Sequence, residues 1–199
     1  MQKKTKIAAV ILAAGESKRF QGIKQLAMIN GQTFIEQIIR KAQQCGLDPI
    51  VVVLGANKDL IREVITNYNV SMIENPDWKN GISTSVNFGL ASLPASVDGA
   101  MMLMVDQPNL PIELMKLLVS EFDREHDFFV PEADGQYRNP VIISRVAFER
   151  VNQLQGDTGA KALFKASKVK SIHWANADSF TDVDTTNDYK DIEINNNCA

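Results

Sequence analysis

The sequence predicts an α/β fold of three layers, αβα, with a mainly parallel mixed sheet between helices. Three observations carry this. Residues 6–13, 49–54 and 100–105 are nearly continuous apolar runs that do not alternate with polar residues, as strands buried on both faces require. Segments of helical period lie between them, most clearly Phe34, Ile35, Ile38, Ile39 and Ala42. The repeated strand–helix–strand order implies parallel strands with helices on both faces of the sheet.

The elements follow in order. Residues 6–13 form a first buried strand, and a Gly-containing loop follows it. The helix through Phe34 to Ala42 has Gly46 just past its expected end. A second strand (49–54), a second helix (60–68) and a short third strand (70–73) come next. After Asn75-Pro76-Asp77-Trp78, residues 83–92 suit a helix. The fourth strand (100–105) stops at Asp106-Gln107-Pro108, and the helix over 111–122 has Pro111 in its first turn. Strands over 127–130 and 139–143 are joined around Gly135. Helices over 145–152 and 158–166, a strand over 169–174 and a turn or helix after Thr186 complete the chain. No internal repeat or linker interrupts it before the polar tail Asn195-Asn196-Asn197, so residues 1–199 read as one domain.

Composition removes several function classes. The formal charge is −3 with no concentrated basic face, which argues against a nucleic-acid partner. A few well-placed cations could still hold an anionic small molecule. Lys3, Lys4 and Lys6 ahead of an apolar stretch resemble a signal peptide, but that stretch runs straight into Gly15-Glu16-Ser17-Lys18-Arg19 rather than a cleavage site. No run is long enough for a membrane span. Cys45 and Cys198 make no disulfide framework, and the cytoplasm is the expected compartment. His126 and His173 lack ligand-like spacing, so zinc is not expected. Trp78 and Trp174 read as packing residues rather than stacking platforms.

Ligands of such sheets bind beyond the carboxyl ends of the strands, which directs attention to the loops after Ala14, Leu54 and Val105. Small residues Ala13, Ala14 and Gly15 would let a ligand approach the backbone, whose N–H groups can hold phosphate oxygens. Arg19 and Lys24 add cations suited to a triphosphate. Neither G-x-x-x-x-G-K-[ST] nor G-x-G-x-x-G occurs there, and an ordinary turn with solvated lysines is the plain alternative. Asp106, at a strand's carboxyl end, is suited to Mg²⁺, which takes one or two carboxylates plus substrate phosphates. Its alternative role is to cap the following helix.

The segment Leu12-Ala13-Ala14-Gly15-Glu16-Ser17-Lys18-Arg19 through Lys24 resembles the L-A-A-G-x-S-x-R signature of nucleotidyltransferases with the Rossmann-like, GT-A-like nucleotide-diphospho-sugar transferase fold. Within that group it is most similar to the MobA/MocA-type, molybdenum-cofactor branch. Leu12-Ala13-Ala14-Gly15 resembles the cytidylyl-transferring members, whereas guanylyl-transferring ones usually show L-A-G-G. Phe20-Gln21 stands where the family often has Met-Gly, and the glycine is displaced to Gly22. Asp106-Gln107-Pro108 resembles the motif whose Asp binds the metal. Asp182-Val183-Asp184-Thr185-Thr186-Asn187-Asp188 resembles the late D-(I/V)-D-T-P-x-D motif, with Thr186 in place of proline. Its metal-binding carboxylate is Asp182 or Asp184, with Asp184 favoured. A capped helix start is the other reading of the same residues, and both can hold at once.

The resemblance implies further roles. Gly81, Ser83 and Ser85, in Asn75 to Val86, would lie near the nucleotide, although Ser83 could simply cap the helix. Arg138, Asn139 and Pro140, with Asp157, Gly159 and Lys161 of a Gly-rich loop, would serve the acceptor, unless the cations are merely solvated. The implied activity is Mg²⁺-dependent transfer of a nucleoside monophosphate, from CTP by preference, to the terminal phosphate of a molybdopterin-type acceptor. Lys24, Arg19 and Asp106 would carry the chemistry. A molybdoenzyme or its chaperone would be a partner. Two other readings stay open: transfer to a sugar phosphate or other phosphorylated small molecule, and a non-catalytic protein that binds molybdopterin.

Overall fold

The computed structural model describes the backbone of residues 5–197 and the side chains of residues 5–192. Lys3, Lys4 and Cys198 lie outside the described residues.

β1 (Ile7–Ala13) is the middle strand of the first half of a sheet that also contains β4 (Ile50–Leu54), β5 (Ser71–Glu74) and β6 (Gly99–Met104). β1 pairs in parallel with β4 on one side and β6 on the other, and β5 extends the sheet beyond β4. The far half is built by β7 (Phe128–Ala133), β9 (Val141–Ser144) and β10 (Val169–His173), while β8 (Gln136–Tyr137) folds back on β7 as a hairpin. The full order is β10-β7-β9-β6-β1-β4-β5. β9 runs antiparallel to both β6 and β7, and β10 is parallel to β7. The sheet is therefore mixed and mainly parallel, as the apolar runs imply.

Strand alternation divides the core into two layers. Ile7, Ala9, Ile11 and Ala13, small or branched, face α1 (Phe34–Gln44), α2 (Lys58–Ile65) and α4 (Ile112–Ser120). Ala8 and Val10 face α3 (Ile82–Ala91) and α5 (Phe148–Val151) on the opposite side. α3 lies close to β1 because Gly89 has no side chain; a Cβ there would sit 2.3 Å from Val10 Cγ1. α1 is anchored by a reciprocal cap between Thr33 and Glu36.

Several expected boundaries shift. α2 begins at Lys58 and ends at Ile65, earlier at both ends than the apolar period suggests. Pro111 is extended, with φ −74° and ψ 140°, and precedes α4 as its N-cap rather than occupying the first turn. The segment expected as a helix over 158–166 is a 3-10 helix, Ala160–Ala166. A two-stranded hairpin of β2 (Met28–Ile29) and β3 (Gln32–Thr33) was not signalled by any alternation. The polar residues 195–197 continue α6 (Thr186–Asn197) rather than forming a tail. Among the described residues, no helix is long and apolar enough to cross a membrane.

Candidate active site

The chain leaves β1 between two parallel neighbours, so its loop opens into the crevice where the flanking connections diverge. Ser17 takes a left-handed conformation, φ 60°, and its carbonyl accepts from Phe20 N at 2.9 Å. Gln25 holds this loop from beneath. It is 4% exposed, its Nε2 donates to the carbonyls of Ala13 and Gly15 at 3.3 and 2.9 Å, and its Oε1 accepts from Ser17 Oγ at 3.0 Å. Lys24 N in turn donates to Ser17 Oγ at 3.2 Å. The loop is thus shaped before any ligand arrives.

A cleft of about 760 Å³ opens above it, with Leu12, Ala14, Gly15, Arg19, Lys24, Gly81, Ser85, Asp106 and Asp184 in its wall. Ala13 is a correction: its side chain is buried beneath α1 and does not reach the cleft.

Charge converges at the floor. Lys24 Nζ lies 3.0 Å from Asp106 Oδ2 and 3.1 Å from Asp184 Oδ1, with the Lys24 and Asp106 side chains only 15% and 17% exposed. Arg19 reaches Asp184 Oδ2 at 2.9 Å from a position that is 72% exposed, so that pair is largely screened by solvent. Asp106 Oδ1 is buried and has no hydrogen-bond partner in the protein. A buried carboxylate oxygen left over beside a second carboxylate is the hard, anionic donor set that suits Mg²⁺. Asp106 and Asp184 therefore fit a divalent cation, with substrate oxygens completing its shell.

The late segment is stitched to the fourth long strand. Val183 N donates to the Asp106 carbonyl at 2.8 Å, and Gln107 Nε2 donates to Asp182 Oδ1 at 2.9 Å. Asp182 thus points to Gln107 and Asp184 to Lys24. Partial burial, joined by the nearby charges of Asp106 and Asp184, pushes the Asp182 carboxyl above the usual carboxylate range. Thr185 and Asp188 also cap the start of α6. Asp188 Oδ2 accepts from Asp184 N and Thr185 N at 3.0 and 2.7 Å, and Asp188 N donates to Thr185 Oγ1 at 3.3 Å. The backbone bond from Thr185 leads in holding the Asp188 carboxyl below its ordinary range. One motif both starts a helix and presents Asp184. It also fastens the first loop: Gln21 N donates to Thr186 Oγ1 at 3.2 Å, and the Phe20 and Tyr189 rings meet edge to face at 5.9 Å.

Lys41 on α1 donates from Nζ to the Pro108 carbonyl, bracing the turn after Asp106. Burial lowers its amine to about 8.

On the other wall, Asn75 Nδ2 donates to Thr84 Oγ1 and Ser85 Oγ, both at 2.9 Å. Gly81 has φ 103°, and a Cβ there would lie 2.2 Å from the Gly156 carbonyl carbon. Ser83 N donates to the Gly156 carbonyl at 3.1 Å, and Ile82 N donates to Asp157 Oδ1 at 3.3 Å. Two expectations change here. Ser83 is 2% exposed and makes no side-chain cap, so its hydroxyl neither starts α3 nor lines the cleft. Asp157 serves the α3 N-terminus and lines the cleft with Arg19 and Lys24 rather than grouping with Arg138 and Asn139. Gly81→Ala combines a backbone clash with a positive φ, and is expected to destabilise the fold by about 1–3 kcal/mol. Thermal unfolding should register this as a fall of several degrees; an unchanged midpoint would show that the 156–157 loop yields freely.

A second pocket of about 320 Å³ adjoins the first, sharing Leu12, Ile82 and Met104. Arg138, Asn139, Gly159 and Lys161 all line it, together with Gln107 and Asp182. Pro140 is buried and absent from its wall. Trp78 lines the first cleft with Lys79 Nζ 5.3 Å from its ring centre, while Trp174 packs on the core and donates to Ser179 Oγ at 3.1 Å. Sequence reasoning missed Gln25 and Lys41. Their partners are main-chain carbonyls, which leave no residue pattern to read.

A relative named probable molybdenum cofactor guanylyltransferase, from Bacillus cereus (strain AH820), is 31% identical over 195 residues, spanning 93% of this chain and 94% of its own. The purine catabolism protein PucB of Bacillus subtilis (strain 168) is 24% identical over 194 residues, spanning 92% of this chain and 94% of its own. The crystal structure of Rv0371c from Mycobacterium tuberculosis H37Rv superposes with a TM-score of 0.86 at 23% identity, covering 96% of this chain and all (100%) of that one, a likeness of fold. The model of the MobA-like NTP transferase domain matches residues 9–172, which contain the first loop, Lys24, Asp106 and both pockets' main walls. With most of its length inside that match, the chain belongs to the MobA-like NTP transferase family.

Proposed function

We propose that the protein catalyses Mg²⁺-dependent transfer of CMP from CTP to the terminal phosphate of a molybdopterin-type acceptor, releasing pyrophosphate. The observation that carries this is the cluster of Lys24, Asp106 and Asp184 in the wall of a triphosphate-sized cleft that adjoins a second pocket. One pocket has the volume and loop chemistry for a nucleoside triphosphate. The other is smaller, largely apolar and edged by cations.

In the proposed reaction an acceptor phosphate oxygen attacks the α-phosphorus in line, and the bond to the bridging oxygen of the β-phosphate breaks, so pyrophosphate leaves with the electron pair. The acceptor phosphate is already ionised at neutral pH, and no protein nucleophile is needed. Lys24 has three donors on its ammonium group and can hold a phosphate oxygen while still facing a carboxylate. Arg19, exposed at the cleft mouth, neutralises charge on the outer phosphates. When bound by Asp106 and Asp184, Mg²⁺ would supply charge neutralisation at the phosphate oxygens. The loop pinned by Gln25 keeps its backbone close to the triphosphate without reorganising.

Support for CTP comes from Leu12-Ala13-Ala14-Gly15, which resembles the cytidylyl-transferring members and of which Leu12, Ala14 and Gly15 line the cleft. A second reading, GTP as donor, is favoured by the guanylyltransferase name of the Bacillus cereus relative. On either reading the product would pass to a molybdoenzyme or its chaperone in the cytoplasm.

Pyrophosphate release in Mg²⁺ and molybdopterin, compared across CTP, GTP, ATP and UTP, tests this directly. Acceptor-dependent release that is strongest with CTP is the expected result. Strongest release with GTP selects the second reading. Bound nucleotide without release from any of the four would point to a sugar phosphate or another acceptor, and then to a non-catalytic molybdopterin carrier.

A further inference from the structure

The second pocket contains two buried polar atoms that the fold leaves unpaired. Gln107 is 5% exposed, and its Nε2 donates to Asp182 Oδ1 at 2.9 Å. An ionised carboxylate only accepts, so this bond fixes which way the amide faces and leaves Oε1 as the free end. Gln107 Oε1 is buried without a hydrogen-bond partner, and so is Arg138 Nε. Both residues line the same pocket. Much of the rest of its wall is apolar, with Val86, Met104, Val141 and Phe164, beside the polar Asn139 and Lys161. Buried polar atoms are normally paired, and an unpaired acceptor and an unpaired donor on two side chains that line one pocket are the pattern of a ligand site with a few convergent polar groups.

We propose that Gln107 is a specificity-determining residue for the acceptor: its Oε1 receives an N–H or O–H from the acceptor's ring, while Arg138 takes an oxygen or anionic group of the same molecule. The ligand class is therefore an apolar-faced ring system with a hydrogen-bond donor on its edge and an anionic or oxygen-bearing substituent. This rests on the second pocket being the acceptor site. Asp182 acts through Gln107 as a positioning residue, holding the amide so that its carbonyl end stays toward the pocket. A site of this kind rejects a ring lacking the donor, because Oε1 would be left buried and unpaired.

Gln107→Met keeps the side-chain length and removes both polar atoms. With molybdopterin as the varied substrate, its KM is expected to rise about tenfold or more, whereas the KM for nucleoside triphosphate stays within about twofold of wild type. Asp182→Ala frees the amide to turn. Its acceptor KM is expected to rise in the same direction, and the double variant should show less than the sum of the two effects. Circular dichroism and thermal unfolding establish that each variant is folded; if Gln107→Met is not, the Asp182→Ala measurement decides. Wild-type turnover with an unchanged acceptor KM in the folded variants overturns the role of Gln107 alone. Absence of wild-type turnover with molybdopterin and every triphosphate overturns the acceptor reading, and this assignment with it.

Discussion

Asp106→Asn is expected to reduce turnover about 10³-fold or more while leaving the fold intact. The substitution preserves volume and removes one negative charge from a floor where Asp106 is 17% exposed and its Oδ1 has no protein partner. A neutral amide is a far weaker ligand for a hard cation than a carboxylate. The half-set left by Asp184 is itself shared with Lys24 and Arg19. Pyrophosphate release at saturating substrates measures the loss, and thermal unfolding checks the fold. Near-normal turnover would remove Asp106 from the reacting centre and return it to a simple turn residue.

Lys24→Met separates two roles that wild type combines in one ammonium group. Without it, two carboxylates face each other across the cleft floor with only the exposed Arg19 nearby. Catalysis should fall about 10²- to 10³-fold, the scale expected when one preorganised charge-stabilising donor is removed. Binding of Mn²⁺, followed by titration, should persist or tighten, because the competing cation has gone. Loss of both turnover and metal binding would mean that Lys24 chiefly shapes the site; unchanged turnover would place the reaction elsewhere.

The parts of this fold that were legible in the sequence were those governed by burial. Strands sheltered on both faces must be apolar throughout, so residues 6–13, 49–54 and 100–105 stood out, each within one residue of the observed strand. Pro111 and the 160–166 segment were harder, because an extended N-cap and a 3-10 turn have nearly the composition of a first α-turn. The antiparallel course of β9 has no signal of its own. Its residues Val141 to Ser144 are all buried, as a parallel strand's would be.

The site divides in the same way. Arg19, Lys24 and Asp106 stood out as charges just past buried strands, Asp184 through the resemblance of its Asp-Val-Asp-Thr segment, and the structure brings the four together. Ala13 and Ala14 are neighbours, yet Ala13 ends β1 in the core under α1 and Ala14, the first residue past the strand, lines the cleft, a distinction of position rather than residue type. Asp157 could not be assigned to a pocket from sequence, since its place depends on how the Gly156 loop docks against Gly81.

The cross-link between Val183 and Asp106 has a consequence for biosynthesis. As the chain emerges from a ribosome, every strand of the sheet is available once His173 is out. The charge cluster is not, because Asp184 and the Thr186 contact to the first loop come later. A nascent or prematurely terminated chain ending between these points can carry the sheet and the nucleotide loop without the second carboxylate. On the proposed mechanism such fragments are expected to lack turnover until the segment that carries Asp184 docks beside Asp106.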